Sequence, residues 1–183
     1  MIEGSHRSSR RQFLRFAAGA AATTLLPLPA FALAGPKKRS LAFHNRHTGE
    51  DLSVTYFADG RYRPDALRQI AINRRDFRTG DVSAIDPKLL DLLCDLRRRM
   101  DSSAPFHVIS GYRSPRTNQA LAAKSNGVAR KSLHMQGLAI DIRLPGRNLA
   151  ELRRVAMAIK GGGVGYYPKP GFVHLDVGRV RYW

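Results

Sequence analysis

Two short stretches of alternating apolar and polar residues constrain the fold of this chain most. In residues 138–143 (LAIDIR), the leucine and both isoleucines point to one side, and Asp141 points to the other. In residues 172–177 (FVHLDV), His174 and Asp176 share one face, opposite two valines and a leucine. Both patterns predict half-buried β-strands. If the two strands are neighbours, His174 lies beside Asp141.

A third polar residue, His134, precedes Asp141 by seven positions. Two imidazoles and one carboxylate, with a fourth position left to water, form the ligand set of a catalytic zinc site. Adjacent strands lie about 4.8 Å apart and hold such ligands rigidly. The pattern therefore predicts a zinc hydrolase with His134, Asp141 and His174 as ligands of Zn²⁺. A single histidine on a strand is more often structural, and spacing alone leaves that alternative open.

The N-terminus has the features of an export signal. Residues 9–14 (SRRQFL) resemble the twin-arginine consensus, and the apolar run that follows contains glycine and prolines and lacks the ~20 uninterrupted apolar residues of a membrane span. Residues 32–34 (ALA) form a small-x-small cleavage site. We expect a signal peptide over residues 1–34 and a mature domain over 35–183, located in the periplasm without a stable membrane anchor. The alternative is a retained signal anchor.

The formal net charge of +17 predicts attraction to polyanions. Nucleic acid is the default partner of such a chain in the cytosol, but the export signal argues against it. In a bacterial envelope the available anions include peptidoglycan peptides and lipid phosphates. The alternative is that scattered arginines simply solvate the surface. Cys94 is the only cysteine, so no intramolecular disulfide can form.

The remaining patterns predict a single α+β domain. Two alternating runs flank Gly49 within residues 40–57 and predict an N-terminal β-hairpin, in which His44 and His47 have no partner ligand nearby. Four apolar-periodic segments predict helices, which begin near Pro64, Pro87, Pro115 and Asn148. We expect a central antiparallel sheet that carries the zinc site on one face and helices on the other.

Three segments carry a resemblance to a known family: residues 110–119 (SGYRSPRTNQ), 131–143 (KSLHMQGLAIDIR) and 161–183 (GGGVGYYPKPGFVHLDVGRVRYW). The chain resembles the YcbK-like murein endopeptidases (MepK type), which belong to the zinc D-Ala-D-Ala metallopeptidase superfamily with the lysostaphin/hedgehog-type fold. The similarity covers essentially the whole mature chain.

The resemblance implies roles for individual residues. Its S-x-H-x6-D motif assigns His134 and Asp141 as ligands, and its C-terminal F-x-H motif assigns His174. The arginine of S-G-Y-R-S is Arg113, which in related enzymes contacts the scissile carbonyl or the carboxylate of the peptide. We expect Arg113 to stabilise the oxyanion.

The chain departs from the family at the general base. Many relatives place a glutamate or histidine shortly before the last ligand, where this chain has residues 171–173 (GFV). Asp176 is the substitute candidate, and the alternative is that it orients His174 or pairs with an arginine. His107 is a weaker candidate. A further alternative is that catalysis depends mainly on the metal and Arg113.

The function implied by the resemblance is hydrolysis of peptide cross-links in peptidoglycan during cell wall remodelling. The bond cut is either D-Ala–diaminopimelate or diaminopimelate–diaminopimelate, and the residues do not separate these two. Tyr112, Tyr166 and Tyr167 either line the cleft or pack in the core. The alternatives are a non-catalytic peptidoglycan-binding module, a D-Ala-D-Ala carboxypeptidase and, more remotely, a nucleic-acid binder.

Overall fold

The computed structural model describes residues 38–125 and 127–183, and the predicted signal peptide lies outside this part of the chain. The described residues form a mixed α+β domain with one sheet and four α-helices. The strands are β1 (Lys38–Asn45), β2 (Asp51–Ala58), β3 (Arg61–Tyr62), β4 (Phe106–Ser110), β5 (Ala139–Arg143), β6 (Gly163–Tyr167), β7 (Phe172–Asp176) and β8 (Arg181–Tyr182). The helices are α1 (Pro64–Asn73), α2 (Pro87–Arg99), α3 (Pro115–Lys124), α4 (Leu149–Ile159) and a 3-10 helix over Leu133–Gln136.

The eight strands form one sheet in the order β3-β2-β1-β4-β5-β7-β6-β8. The central strands β4, β5, β7 and β6 pair antiparallel, and so do β1 and β2, which are joined by residues 46–50. The expectation of an antiparallel sheet is wrong at two places, because β1 pairs parallel with β4 and β6 pairs parallel with β8. The long connection through α1 and α2 permits the first of these, since parallel neighbours need a crossover.

The helices begin where the sequence signals predict. Asp86 precedes α2 and accepts a hydrogen bond from the backbone N–H of Lys88, while Asn148 caps α4 in the same way. Helices α2 and α4 contact each other and pack on the sheet, covering its core face. The strand residues beneath them are fully buried, namely Ile140, Ile142, Val173 and Leu175. Within the described residues, no helix combines the length and the apolar character that crossing a bilayer requires.

Strand β5 is buried on both faces, which differs from the half-buried strand that its alternation predicts. Asp141 is only 5% exposed, and Ala139 is fully buried. The 3-10 helix and Arg113 lie over this second face, since His134 and Arg113 both contact the Asp141 carboxylate. The residues that bury this face come from distant parts of the chain, so the local alternation of β5 cannot predict its burial.

Candidate metal centre

The candidate centre is built on a cross-strand pair. In the antiparallel register of β5 and β7, Asp141 lies directly opposite His174. The side chains of such a pair project from the same face of the sheet, with Cβ atoms about 5 Å apart. His174 Nδ1 lies 2.8 Å from Asp141 Oδ1. The adjacency predicted from the two alternating stretches is confirmed.

His134 reaches the pair from the 3-10 helix. Ser132 caps this helix by accepting a hydrogen bond from the His134 N–H, and Gly137 ends it with a φ of +69°. A Cβ on Gly137 would collide with the carbonyl oxygen of Ala84. Glycine is therefore required both by the left-handed backbone and by the close approach, and it fixes where His134 sits.

The three side chains bring their donor atoms to one point. His134 Nε2 lies 3.2 Å from His174 Nδ1 and 3.3 Å from Asp141 Oδ1. In a tetrahedral zinc site with bonds of about 2.1 Å, neighbouring donor atoms are about 3.4 Å apart. The donor set and its spacing thus fit a zinc ion. Within residues 38–125 and 127–183, no other group of three potential ligands converges in this way.

Hydrogen bonds behind the two imidazoles set their tautomers. His134 Nδ1 lies 2.7 Å from the carbonyl oxygen of Gly111 and donates to it, so its Nε2 lone pair faces the centre. His174 Nε2 lies 3.1 Å from Asp176 Oδ2 and donates there, which leaves Nδ1 facing the centre. Such outer contacts orient metal ligands in known sites and raise their basicity.

Asp176 is sealed from solvent beneath His174. Its carboxylate is 0% exposed, and it accepts hydrogen bonds from His174, from Arg181 at 2.7 Å and from the backbone N–H groups of Gly163 and Gly178. Burial opposes its ionisation, but these bonds prevail and lower its pKa. Asp176 does not line the cleft. A general base must lie within hydrogen-bond distance of the water that attacks the substrate, and Asp176 is not placed to do so.

The electrostatics of the centre favour a cation. Burial opposes protonation of His174, but hydrogen bonds to Asp141 and Asp176 prevail and raise its pKa to about 9. Burial likewise opposes ionisation of Asp141, and the interactions with His134 and His174 prevail and lower its pKa. The Asp141 carboxylate stabilises positive charge at the point where the donor atoms meet, and Asp176 stabilises it from behind His174.

Arg113 lies at the edge of the centre, between β4 and α3. Its backbone N–H donates to the carbonyl of His134, and its Nη2 lies 3.7 Å from Asp141 Oδ2. Nη1 donates to Asn118 Oδ1 at 3.3 Å, which aims the guanidinium. Burial lowers the pKa of Arg113. The predicted site residues Arg113, His134, Asp141 and His174 therefore lie together around one cleft.

This cleft has a volume of about 350 Å³, and the three donor residues and Arg113 lie in its wall. Tyr167 lines it too, whereas Tyr166 packs against the core and Tyr112 lies outside it. Of the two readings for the tyrosines, lining the cleft therefore holds for Tyr167 alone. Sequence reasoning missed Trp183, whose indole lies 5.3 Å from the His174 ring. A single tryptophan at the end of the RVRYW segment has no periodicity that could indicate this position.

The other histidines of the described residues, His44, His47 and His107, lie elsewhere. His107 packs beside His44, with ring centroids 4.9 Å apart, and neither lines the cleft. His44 contacts Asp51, and His47 stacks on Phe77. The weaker candidate for a general base, His107, is therefore not placed to act on a substrate in the cleft.

Comparison with known proteins decides the family. The family model described as peptidoglycan L,D-endopeptidase MepK, of the M15 peptidases, matches residues 33–183. The chain belongs to this family. Peptidoglycan L,D-endopeptidase MepK of Escherichia coli K12 is 42% identical over 178 residues, covering 96% of this chain and 97% of the relative. The probable peptidoglycan L,D-endopeptidase MepK of Haemophilus influenzae is 36% identical over 177 residues, covering 96% and 95%.

Membership of the MepK family confirms the resemblance predicted from the three sequence segments. It also confirms that the chain is an enzyme, a metallopeptidase of the M15 family. The His-Asp-His cluster on β5, β7 and the 3-10 helix is where this MepK family member could hold its metal.

Proposed function

We propose that this chain is a zinc-dependent murein endopeptidase, whose metal is held by His134, Asp141 and His174. The observation that carries the proposal is the convergence of three donor atoms, each 2.8–3.3 Å from the others, in the wall of an open cleft. Names of the relatives, peptidoglycan L,D-endopeptidases, support peptidoglycan as the substrate. A fourth coordination position open to water is what a catalytic zinc site needs.

Arg113 is the residue that we propose to stabilise the transition state. A zinc ion in this place would supply Lewis acidity to the scissile carbonyl and lower the pKa of a water molecule. The Arg113 guanidinium lies beside the donor cluster, and Arg113 lines the same cleft. The planar guanidinium can donate two hydrogen bonds to an oxygen that gains negative charge in the transition state. Such donors stabilise the charge most strongly where water is excluded.

Asp176 acts as a positioning residue in this proposal. Its buried carboxylate holds the N–H of His174 Nε2, keeps the Nδ1 lone pair aimed at the metal position and is itself held by Arg181. The cleft wall offers no carboxylate besides Asp141 among the described residues. We therefore assign catalysis to the metal and Arg113, with no separate carboxylate base.

The bond that we propose to be cut is diaminopimelate–diaminopimelate. In that cross-link the carbonyl comes from an L-centre and the amine from a D-centre, whereas D-Ala–diaminopimelate joins two D-centres. The word L,D-endopeptidase in the names of the relatives therefore favours the first bond.

We also propose that residues 1–34 direct export by the twin-arginine route and are removed after Ala34. The SRRQFL motif and the small-x-small site support this, and the family model begins at residue 33, close to the proposed cleavage point. Periplasmic location places the basic chain next to its proposed substrate. Mass spectrometry of protein recovered from the periplasm tests it, with Gly35 expected as the first residue.

Purified mature protein incubated with defined muropeptides tests the function. We expect monomer release from dimers joined by a diaminopimelate–diaminopimelate bond, loss of activity with a chelator and recovery with zinc. Shortening of pentapeptides with intact dimers would instead indicate a D-Ala-D-Ala carboxypeptidase. Binding without release under any metal condition would indicate a peptidoglycan-binding module.

A further inference from the structure

The C-terminal tryptophan is built into the sheet beside the metal centre. The Trp183 backbone N–H donates to the carbonyl of Val164, and its carbonyl accepts from the N–H of Tyr166, which continues the pairing of β8 with β6. Its indole lies over Gly165, the residue that pairs with His174 across β6 and β7. A Cβ on Gly165 would come within 2.7 Å of the indole. The missing side chain thus makes room for the indole next to a metal-binding histidine.

Further contacts hold the indole, which stays partly exposed. Trp183 Nε1 donates to Tyr167 Oη at 2.8 Å, and Tyr167 in turn stacks on Phe172 with centroids 4.7 Å apart. The Arg181 guanidinium lies 4.9 Å from the indole. Trp183 is still 45% exposed and lines the cleft. A large apolar surface that is fixed in place and open to a cleft is a preformed binding surface.

We propose that Trp183 is a substrate-binding residue. Its indole packs against the trimethylene chain of one of the two diaminopimelate residues that flank the scissile bond. The inference rests on the proposed function and names the substrate group that the indole recognises. In the cross-link, each diaminopimelate keeps a free carboxylate at its D-centre, attached to a short aliphatic chain. The cleft offers matching cationic groups, since the Arg181 guanidinium lies 4.9 Å from the indole and Lys131 lines the same cleft.

Distance favours this group over the sugar. The indole is 5.3 Å from the His174 ring, so its occupant lies within one residue of the bond being cut. In a stem peptide the sugar is separated from diaminopimelate by two residues, which span roughly 7 Å when extended. When the scissile bond lies at the donor cluster, the sugar is therefore too far away to contact the indole.

Intrinsic fluorescence tests the contact directly, because Trp183 is the only tryptophan of the chain. We expect the tripeptide L-Ala-γ-D-Glu-meso-diaminopimelate to change the emission of the zinc-loaded mature protein saturably. The tripeptide with alanine in the third position, and the sugar disaccharide without peptide, should leave it unchanged at the same concentrations. No change with the diaminopimelate tripeptide, or an equal change with either control, would overturn the inference.

Steady-state kinetics on diaminopimelate-linked dimers give a second test. For Trp183→Ala we expect KM to rise about tenfold with kcat little changed, because roughly half the burial of three methylenes is lost equally from substrate and transition state. Trp183→Phe should recover most of the affinity. Tyr182→Ala is the matched control, since Tyr182 is an exposed aromatic on β8 that does not line the cleft.

The outcomes separate the two proposals. Failure of wild-type protein to cut any dimer would refute the proposed endopeptidase activity itself. Cleavage by wild-type protein with an unchanged KM for Trp183→Ala would refute only the role of Trp183. If Trp183→Ala loses zinc or secondary structure, Trp183→Phe and the fluorescence titration of the wild type decide the matter.

Discussion

His174 and Asp141 face each other across β7 and β5, with His174 Nδ1 2.8 Å from Asp141 Oδ1. One strand thus supplies an imidazole and its neighbour a carboxylate at the same level of the sheet. A shift of one residue in register would turn one of them to the opposite face. The apolar residues that alternate with them are fully buried, so the core itself keeps the two ligand candidates together.

Replacing Asp176 by asparagine tests its role behind His174. Because the carboxylate orients His174 and does not reach the cleft, we expect Asp176→Asn to weaken zinc affinity about 10–100-fold while activity at saturating zinc is largely kept. Zinc titration and kinetics measure both quantities. A loss of 10²–10⁴-fold in kcat at saturating zinc, with affinity unchanged, would instead identify Asp176 as the general base.

Replacing Arg113 tests oxyanion stabilisation. Arg113→Lys keeps the charge but loses the planar fork, so we expect kcat/KM to fall about 10²–10³-fold with zinc content unchanged. Arg116→Lys is the matched control, because Arg116 is exposed on the neighbouring α3, and its activity should equal that of the wild type. Equal activity of both variants would remove Arg113 from the mechanism.

Gly137 should be far less tolerant of a side chain than Gly146, although both have positive φ values of about +70°. A Cβ on Gly146 meets open space, so Gly146→Ala should cost about 1 kcal/mol of unfolding free energy from backbone strain alone. Gly137→Ala adds the collision with the Ala84 carbonyl and should cost about 2–4 kcal/mol. Urea unfolding measures both, and equal losses would contradict the close approach.

Asp76 should stabilise the fold in a pH-dependent way. It is 1% exposed and accepts hydrogen bonds from the Ser114 N–H and hydroxyl. Burial opposes ionisation of Asp76, but these bonds prevail together with those from Thr117 and the Arg78 N–H, and they lower its pKa to about 2. The pKa is thus lower in the folded than in the unfolded state. The resulting stabilisation is present above about pH 4 and disappears as the pH falls through about 2.

Asp76→Asn is therefore expected to lose roughly 2 kcal/mol of unfolding free energy at neutral pH, and less as the pH approaches 2. Urea unfolding between pH 2 and pH 7 with a chelator present measures this difference without the contribution of metal. Asp81→Asn, an exposed residue of the same loop, is the control and should behave as the wild type. A difference that does not change with pH would contradict the ionised buried carboxylate.

Local patterns predicted the elements that hold the centre. Alternation around Asp141 and His174 predicted the strands β5 and β7, which the structure then pairs, and the Asp86 cap predicted the start of α2. These features depend on residues close in sequence, which is why periodicity and capping reveal them.

Contacts between distant segments could not be predicted in the same way. Burial of Asp141 depends on a 3-10 helix and an arginine from other parts of the chain. The position of the Trp183 indole depends on a glycine 18 positions earlier. The Asp76–Ser114 contact spans 38 residues. Contacts between residues so far apart produce no periodic pattern in the sequence. The enclosed position of Asp176 and the place of the Trp183 indole in the cleft are therefore visible only in the folded structure.

Metal content tests the central claim most directly. Mature wild-type protein, purified with zinc and dialysed, should contain about one zinc per chain, while His134→Ala and Asp141→Ala should each lose most of it because two ligands bind zinc weakly. His44→Ala should retain zinc, since His44 lies outside the cluster. Unchanged zinc content in both His134→Ala and Asp141→Ala would contradict the account.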